Sequence, residues 1–325
     1  MVNDTTPYHL SAHGAGDLLG PIADTLRELE ARTQQYLNHI PLDGDADAEA
    51  LRAAQAALEA ARAQIGALLD PGDDLAGASQ TRKLRVLITG AGGSIGGSLA
   101  ELLREHFDLR LLYRTRRPET PPSDDWVMAD LADLPALEAA MQGVDAVVHM
   151  AADPEVDATW ESVLQNNIIG TYNVFEAARR AGVPRIVFAS TNHVMGMYDR
   201  DGMWPIFADQ PIRPDSLYGV SKAFGEALGR FWYDQHGVSV ICLRIGWMLP
   251  EPHDEIARWM WLSPRDCAQI VTRAIESHAG FEIVYAISQN AARRWDITQT
   301  IERFGYRPED DAETRFASAA AADTP

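Results

Sequence analysis

A tyrosine and a lysine stand four residues apart in the segment LYGVSK, at Tyr218 and Lys222. Side chains at this spacing are neighbours on one face of a helix. A free tyrosine has a pKa of about 10, so it acts as a base near neutral pH only where a nearby cation favours the phenolate. Because Lys222 can supply that cation, the pair predicts a proton-transfer site.

The segment FASTNHV, residues 188–194, offers this pair a partner. It closes a predicted strand with two hydroxyl residues, Ser190 and Thr191. The carboxyl ends of parallel strands face the ligand crevice, so we expect both hydroxyls to point towards Tyr218. A hydroxyl, a phenol and an ammonium group together suit proton transfer between an alcohol and a carbonyl.

A glycine-rich turn, TGAGGSIGG at residues 89–97, follows the predicted strand RVLI and precedes a predicted helix. Gly90 allows a tight turn, Gly93 lets the backbone approach a pyrophosphate, and Gly96 lets the helix pack close to the strand. The helix N-terminus adds unpaired N–H groups and a positive dipole end. The turn therefore predicts dinucleotide binding.

The next predicted strand, LRLLY, ends where many dinucleotide enzymes carry an acid that binds a ribose hydroxyl. Tyr113 and Arg114 occupy this place, and Arg116 and Arg117 follow. Arginine donates bidentate hydrogen bonds to phosphate, so the stretch favours NADP over NAD. A solvated basic loop is the alternative.

Two further strand ends bear on the cofactor. Asp130, in MADLAD after the third predicted strand, either accepts a hydrogen bond from the adenine amino group or caps the next helix. VVHMAA, residues 147–152, ends the fourth predicted strand in small side chains, which leave room for a cofactor across the sheet edge.

From Leu84 onwards, short apolar runs alternate with helical segments. This alternation is typical of a parallel sheet with helices on both faces. It predicts an α/β fold: a Rossmann-type, doubly wound parallel sheet with a small C-terminal substrate-binding region.

The composition changes near residue 70, because two amphipathic helical patterns precede it. We predict a disordered tail at 1–14, a helical hairpin at 15–70, a linker at 71–82, the α/β domain at 83–318 and a disordered tail at 319–325. Neither hairpin helix can bury its apolar stripe alone. The hairpin must therefore pack on the main domain, on a second copy of the chain or on another protein, and we expect one of the first two.

The composition also excludes several classes of protein. With 28 basic and 47 acidic residues the net charge is −19, which opposes binding to nucleic acid. No basic start with an apolar run and no membrane-length apolar stretch is present, so we expect a cytoplasmic protein without membrane contact. Cys242 and Cys267 lack metal-ligand spacing; we expect buried free thiols, and neither a disulfide nor a metal site.

The sequence resembles the extended short-chain dehydrogenase/reductases, the superfamily of NAD-dependent epimerases and dehydratases. Over roughly residues 84–316 it carries their motifs in their order: TGAGGSIG, VVHMAA, NNIIGT, the hydroxyls before NHV, and YGVSK. The segments NNIIGTYNVFEAAR, IVFASTNHVMG, LYGVSK and MWLSPRD look most like the uronate dehydrogenases and the NAD-dependent glucose-6-phosphate dehydrogenases of halophilic archaea.

The resemblance implies a role for each matching residue. Tyr218 would be the catalytic acid/base, and Lys222 would lower its pKa and hold the nicotinamide ribose. Thr191 would take the catalytic hydroxyl position, and Asn167 would support Lys222 through the active-site helix and water. The residues implied to bind the cofactor are Gly90, Gly93, Ser94, Ile95, Gly96, Tyr113, Arg114, Asp130, Leu131, Ala151, Ala152, Tyr218, Lys222 and Ile245.

The residues implied to bind the substrate are Asp153, Asn192, His193, Trp247 and Arg258. For three of them a structural role is the alternative to substrate binding: His193 as a structural histidine, Trp247 as a core residue, and Arg258 as a surface arginine.

The sequence departs from the uronate dehydrogenases where they hold the sugar acid. The loop ADPEVDAT lacks their serine, Trp247 stands in the place of a second serine, and Ile256 stands in the place of their arginine, with Arg258 the nearest arginine. The glucose-6-phosphate dehydrogenases match the loop length better, but they carry a ribose-binding acid where Tyr113 stands. The identity of the sugar stays open.

We predict an NAD(P)-dependent dehydrogenase of carbohydrate metabolism, working as a dimer, that oxidises a sugar or a sugar acid or phosphate at the C1 hydroxyl to a lactone. Nucleotide-sugar epimerases and dehydratases share these motifs, but they need a larger C-terminal region than the residues after RIGW provide. A non-enzymatic cofactor-binding regulator is a third possibility, although it would not need Tyr218 and Lys222.

Overall fold

The computed structural model describes residues 82–115 and 125–316. They lie in one of the two units into which the chain divides, Arg82–Pro325. The predicted hairpin, both tails, nearly all of the linker, and Arg116 and Arg117 lie outside the described residues. The predictions made for them, and the domain boundaries, stay predictions.

The described strands are β1 Arg85–Thr89, β2 Asp108–Tyr113, β3 Asp125–Met128, β4 Ala146–His149, β5 Arg185–Thr191, β6 Ser239–Ile245, β7 Trp247–Met248, β8 Trp261–Leu262 and β9 Phe281–Ala286. The described helices are α1 Ser94–Leu103, α2 Leu134–Ala140, α3 Gly170–Arg180, α4 Gly196–Arg200, α5 Leu217–His236, α6 Ala257–Met260, α7 Pro264–Glu276 and α8 Thr298–Phe304. A helical turn, Trp160–Ser162, and a π-helical segment, Val163–Ile169, lead into α3, and a 3₁₀ turn, Asn192–Met195, leads into α4.

Seven parallel strands form the main sheet in the order β3-β2-β1-β4-β5-β6-β9. Helices cover both faces, which is why the strands read as near-continuous apolar runs. On one face Ile88 and Val187 belong to a core shared with α1 and α7. On the other face Leu87 and Phe188 belong to a core shared with α3 and α5.

The strand order reverses at β1, which lies between β2 and β4. In an open α/β sheet, ligands bind beyond the carboxyl ends of the strands at such a reversal. Thr89 at the end of β1 pairs with His149 at the end of β4, and the glycine turn follows Thr89 directly. The predicted Rossmann-type, doubly wound fold is confirmed.

Two smaller observations complete the description of the fold. Cys242 and Cys267 are buried free thiols, as predicted. Within the two described ranges, no helix combines the length and the apolar character needed to span a membrane.

Candidate active site

Helix α5, which carries the predicted tyrosine and lysine, lies tightly against β5. The helix begins at Ser216, whose hydroxyl oxygen accepts a backbone N–H of the first turn at 3.1 Å. A Cβ atom on Gly225 would overlap the ring of Phe188 in β5, so glycine at this position lets the helix approach the strand. The face of α5 with Lys222 therefore meets the carboxyl end of β5.

A buried ion pair fixes α5 to β6. The guanidinium of Arg244 donates two hydrogen bonds of 2.8 Å to the carboxylate of Glu226, and Ser190 donates to the same carboxylate at 2.6 Å. The expectation that the Ser190 hydroxyl points towards Tyr218 is therefore wrong. Successive residues of a strand face opposite sides of the sheet, so Ser190 and its successor Thr191 cannot both reach the tyrosine.

Lys222 is buried, with 3% of its surface exposed. Its Nζ donates a 2.7 Å hydrogen bond to the carbonyl oxygen of Ala189 and lies 5.8 Å from the ring centroid of Tyr218. Burial lowers the pKa of Lys222 to about 7. The sequence contains one other lysine, Lys83. It precedes the amino end of β1, whereas the site lies at the carboxyl ends of the strands.

Tyr218 and Thr191 are brought together. Burial raises the pKa of Tyr218 to about 12, a side-chain hydrogen bond with Thr191 acts to lower it, and the charge of Asp153 acts to raise it further. The expectation that Lys222 lowers the pKa of Tyr218 is not met in this structure. Lys222 directs its hydrogen bond to Ala189, and the pKa of the phenol is shifted by burial, Thr191 and Asp153.

Asn167, in the π-helical segment, joins the loop after β4 to α5. Its Oδ1 accepts the N–H of Asp153 at 2.7 Å, while its Nδ2 donates to the Asp153 carbonyl at 3.1 Å and to the Ser221 hydroxyl at 3.0 Å. The hydroxyl of Ser162 donates to the Asp153 carboxylate. Because Ser221 directly precedes Lys222, the structure places Asn167 where it can support the lysine through this side chain.

The glycine turn leaves an open cradle at the start of α1. Gly90 has a φ of 70°, which favours glycine, and a Cβ atom there would lie 2.8 Å from the backbone nitrogen of Ala151. A Cβ atom on Gly96 would overlap the carbonyl oxygen of Gly90. Gly93 precedes α1 without a side-chain cap, and the first turn contains no acid. The free N–H groups of that turn suit an anion.

A hydrogen-bond network ties the ends of β1 and β4 together. The Thr89 hydroxyl oxygen accepts the N–H groups of Met150 and Ala151, both at 3.1 Å, and lies 2.8 Å from His149 Nδ1. Two N–H groups fill the lone pairs of this oxygen, so the hydroxyl donates its proton to Nδ1. The proton of the neutral imidazole is then on Nε2, 3.3 Å from the Thr171 hydroxyl.

His149 is neutral at physiological pH in this network. Burial, reinforced by the positive charge of Lys222, lowers its pKa to about 3. A neutral imidazole with one donor and one acceptor nitrogen matches its two threonine partners. It holds the carboxyl end of β4 against β1, beneath the cradle.

Arg114 spans from the end of β2 to the π-helical segment. Its Nη1 donates to Oδ1 of Asn166 at 2.9 Å, and Asn166 in turn donates to the carbonyl oxygen of Ser162 at 3.0 Å. The side chain of Arg114 is exposed. It is thus held at the adenosine end of the predicted cofactor groove.

Asp130 is exposed after β3, and its Oδ1 accepts the N–H of Ala132 at 2.9 Å. Helix α2 is capped by Asp133, which accepts the N–H of Ala136. The helix-cap alternative for Asp130 is therefore wrong, because the cap lies three residues further on.

The remaining predicted cofactor residues lie along the same edge of the sheet. A Cβ atom on Gly92 would lie 3.4 Å from the Tyr113 ring, so this ring flanks the glycine turn. The others are Ser94 and Ile95 in the first turn of α1, Leu131 after β3, Ala151 and Ala152 after β4, and Ile245 at the end of β6.

His193 lies beside Tyr218, with ring centroids 6.0 Å apart. Its Nδ1 is 3.0 Å from both carboxylate oxygens of Asp215. Burial alone would raise the pKa of Asp215, but the hydrogen bond and charge of His193, a hydrogen bond from Ser216 and the charge of Arg200 together hold it below its usual value. The pair is therefore a histidine oriented by a buried carboxylate.

Asn192 lies between the hydroxyl position and α6. Its Oδ1 accepts the Thr191 hydroxyl at 3.3 Å, and its Nδ2 donates to Sδ of Met260 at 3.2 Å. Asp153, Asn192 and His193 thus lie around Thr191 and Tyr218.

Arg258 is placed differently from the prediction. It donates to the carboxylate of Glu313, and its guanidinium lies 4.8 Å from the Phe316 ring, so it binds the C-terminal segment instead of standing free for a substrate. Trp247 pairs with Trp261 in the small β7–β8 sheet and is half-buried where it packs on a buried cluster; its substrate role stays a prediction. Both residues follow β6, and each side chain contacts other residues of the chain.

Several residues of the site are not apparent from sequence patterns. Asp215 has one usable signal, since it stands directly before the cap residue of α5. Thr89, Thr171 and Ser221 carry no signal of their own, because hydroxyl residues are common and only the fold brings these three to their partners. Asn166 is hidden beside Asn167 in NNIIGT.

Comparison with known proteins agrees with this geometry. Residues 86–258 match the NAD dependent epimerase/dehydratase family. The chain is 42% identical over 253 residues to an L-arabinose 1-dehydrogenase (NAD(P)(+)) of Haloferax volcanii, a match covering 71% of this chain and 98% of that protein. It is 39% identical to an NAD-dependent glucose-6-phosphate dehydrogenase of the same organism, covering 70% and 94%. The crystal structure of uronate dehydrogenase from Agrobacterium tumefaciens superposes with a TM-score of 0.67 at 36% identity, covering 74% of this chain and 90% of that one.

Proposed function

This chain belongs to the NAD dependent epimerase/dehydratase family, and on that premise we propose that it is an NAD(P)-dependent dehydrogenase that oxidises the C1 hydroxyl of a sugar to a lactone. The observation that carries the proposal is the placement of Thr191, Tyr218 and Lys222 at the carboxyl end of β5, beside the glycine cradle. The relatives named above, which are sugar or sugar-acid dehydrogenases that match this chain over nearly their whole lengths, support it.

The cradle supports the cofactor assignment. The first turn of α1, at Ser94 and Ile95, would hold the pyrophosphate. Side chains at Gly90 or Gly96 would clash with the backbone of Ala151 or Gly90 and so distort the cradle. Tyr218 and Lys222 would hold the nicotinamide ribose. When bound, the oxidised nicotinamide supplies a hydride acceptor and a positive charge. The solved structures similar to this chain include a uronate dehydrogenase mutant complexed with NAD.

Tyr218 and Thr191 would form hydrogen bonds with the substrate oxygen, and Tyr218 would take the proton of the substrate hydroxyl. A general base of this kind is worth about 10²- to 10⁴-fold in rate. Because burial raises the pKa of Tyr218 to about 12, the phenolate needs additional positive charge nearby at neutral pH. In the reverse direction the protonated phenol already suits the role of acid.

We propose that the cofactor is NADP in preference to NAD. The end of β2 carries Tyr113 and Arg114 instead of an acid, and Arg114 is held at this end by Asn166. A guanidinium donates to a 2′-phosphate, whereas an acid would repel it.

We also propose that the protein is a cytoplasmic homodimer. Its two cysteines are free thiols, which suits a reducing compartment. Ile169, Tyr172, Leu217 and Val220 are exposed on neighbouring helical elements, and an apolar face of this kind can pair with its own copy around a two-fold axis. Val220→Glu should shift the mass of the full chain in light scattering to that of a monomer. If the mass does not change, this face is not the dimer interface.

One assay tests the proposed reaction. The full chain is offered NAD or NADP with arabinose, galactose, glucose, galacturonate, glucose 6-phosphate and UDP-glucose, and reduced nicotinamide and lactone are measured. Lactone and reduced cofactor should appear in equal amounts with at least one free sugar. If no sugar reduces the cofactor, the dehydrogenase function is wrong. Epimerised UDP-sugar without net reduction would instead support a nucleotide-sugar epimerase.

A further inference from the structure

We propose that the substrate is an uncharged aldose and that the site discriminates against the corresponding uronate and sugar phosphate. The inference rests on the proposed dehydrogenase function and names its substrate class. Two carboxylates adjoin the substrate side of the site, while the arginines around it are already paired.

The first observation is the oriented histidine. Both Asp215 oxygens lie 3.0 Å from His193 Nδ1, and an ionised carboxylate can only accept, so the ring donates its proton there. Nε2 is then the ring nitrogen that faces away from Asp215, and it can form a hydrogen bond with a sugar hydroxyl beside Tyr218. The negative charge of Asp215 beside the ring makes this position suit a hydroxyl better than a carboxylate or phosphate of the substrate.

The second observation is that the fold makes room for this carboxylate. A Cβ atom on Gly196 would overlap the Asp215 side chain, whose exposed fraction is 7%. Ser216 donates to Asp215 at 3.0 Å, and the 59% exposed side chain of Arg200 approaches it at 3.7 Å. Asp215 is therefore a built part of the site that acts through His193.

A second carboxylate lies at the reacting end. Asp153 is close enough to Tyr218 for its charge to act on the phenol. It is held in place by Asn167 through its backbone and by Ser162 through its carboxylate. An anionic substrate would have to bring its charge towards both carboxylates after losing water, which is unfavourable.

The third observation concerns five described arginines in the segments that follow β5, β6 and β9. Each has an acceptor: Arg200 pairs with Asp215, Arg213 with Asp201, Arg258 with Glu313 and Arg294 with Asp199, and Arg293 donates to the carbonyl oxygen of Asn290. Arg294 is further held over the rings of Trp259 and Trp204, at 3.2 and 4.0 Å from their centroids. An anionic substrate group would have to compete with these partners.

The direct test compares sugars that differ in one group. Galactose and galacturonate differ at C6 alone, and so do glucose and glucose 6-phosphate. We expect kcat/KM to favour the neutral sugar of the better pair by about 100-fold or more, the scale on which a site rejects an unpaired charge. Equal or higher kcat/KM for the acid or the phosphate would overturn the inference and leave the dehydrogenase function intact. No reduction with any sugar would overturn both.

Variants separate the role of Asp215 from a merely structural one. Asp215→Asn should raise KM for the neutral aldose about tenfold or more with a smaller change in kcat, leave KM for the cofactor unchanged, and narrow the preference over the uronate. Asp234→Asn, which breaks an exposed pair with Arg230 on α5, is the matched control and should change none of these values. His193→Gln should reproduce the loss if Asp215→Asn fails to fold.

Arg200 provides the opposing outcome. If galacturonate proves the better substrate and Arg200→Met abolishes its advantage, Arg200 binds the anionic group and the inference is wrong. If Arg200→Met leaves the neutral preference intact or stronger, the inference stands.

Discussion

The ammonium group of Lys222 donates a 2.7 Å hydrogen bond to the carbonyl oxygen of Ala189, inside the carboxyl end of the sheet. The lysine is therefore hydrogen-bonded to β5 two residues before Thr191, the residue proposed as the catalytic hydroxyl. This contact makes α5 and the end of β5 one unit, and it places a lysine in surroundings that disfavour its charge.

The cost of burying Lys222 should appear in the pH dependence of stability. Below pH 7 the folded and the unfolded chain are both protonated at Lys222, and the folded chain bears the full cost. As the pH rises from about 7 towards 10.5, the unfolded chain keeps a proton that the folded chain has lost, so the free energy of unfolding rises. The melting temperature of Lys222→Met relative to the parent should be highest below pH 7 and fall across this window. Lys83→Met, which replaces the exposed second lysine in the same way, is the matched control.

Tyr218→Phe should lower turnover by about 10³-fold or more and weaken cofactor binding much less, because it removes one hydroxyl and leaves Lys222 and the glycine cradle in place. Steady-state kinetics and cofactor titration measure the two effects. Tyr233→Phe removes a phenol from the same helix at a position 37% exposed and serves as the control. Retained activity in Tyr218→Phe would refute its proposed role.

Asn167→Ala should lower kcat by about 10-fold to 100-fold, because displacement of a catalytic group by about an ångström has an effect of this size. It removes the bonds to Asp153 and Ser221. Asn167→Asp keeps the acceptor for the Asp153 N–H but loses both donated bonds, and should recover only part of the activity. Gln165→Ala on the same π-helical segment is the exposed control. Full activity in Asn167→Ala would show that α5 and the loop after β4 need no such link.

Arg114→Ala should weaken NADP about tenfold more than NAD, because the guanidinium recognises the phosphate through charge-assisted hydrogen bonds. Asn166→Ala keeps Arg114 but removes its hydrogen-bond partner, so it should reduce the preference for NADP over NAD by less. Dissociation constants for both cofactors measure the effect. Equal weakening of both cofactors by Arg114→Ala would leave Arg114 as a solvated residue without a part in selection.

His149 should stay neutral throughout the pH range in which the enzyme is folded. Between pH 6.5 and about 3 the unfolded chain binds a proton that the folded chain excludes, so the free energy of unfolding falls on acidification by at most about 1.4 kcal/mol per pH unit from this residue. His149→Asn should flatten that slope, and His106→Asn, at an exposed histidine, is the matched control. Nitrogen NMR should find the proton on Nε2; a proton on Nδ1 would contradict the Thr89 network.

The sequence predicts the fold and the reacting edge well for a physical reason. Strand-turn-helix order and the four-residue spacing of Tyr218 and Lys222 are local patterns, and the parallel sheet then brings the strand ends to one edge. The strand β9 is harder to see, because Glu282 interrupts its apolar run. Ser190 shows the same limit, since a hydroxyl-rich strand end does not reveal which hydroxyl faces the crevice.

Partnerships over long distances along the chain are what the sequence leaves undetermined. Nothing in the sequence near Arg258 indicates a partner, yet its side chain donates to the carboxylate of Glu313, 55 residues later. Asp215 and His193 come together because the 3₁₀ turn after β5 packs against the start of α5, where a Cβ atom on Gly219 would lie 2.5 Å from the His193 carbonyl oxygen. The pKa of Tyr218 depends on burial, which the identity of its neighbours along the helix does not determine.

The buried pair between Glu226 and Arg244 constrains the order in which the site can assemble. Helix α5 leaves the ribosome before β6, so Glu226 is made 18 residues ahead of the partner that neutralises it. A carboxylate buried without its counter-charge is strongly unfavourable, and α5 cannot dock stably until β6 has joined the sheet. Tyr218 and Lys222 therefore reach their folded positions late, and a nascent chain or fragment that stops before Arg244 would contain the proposed catalytic pair without a formed site.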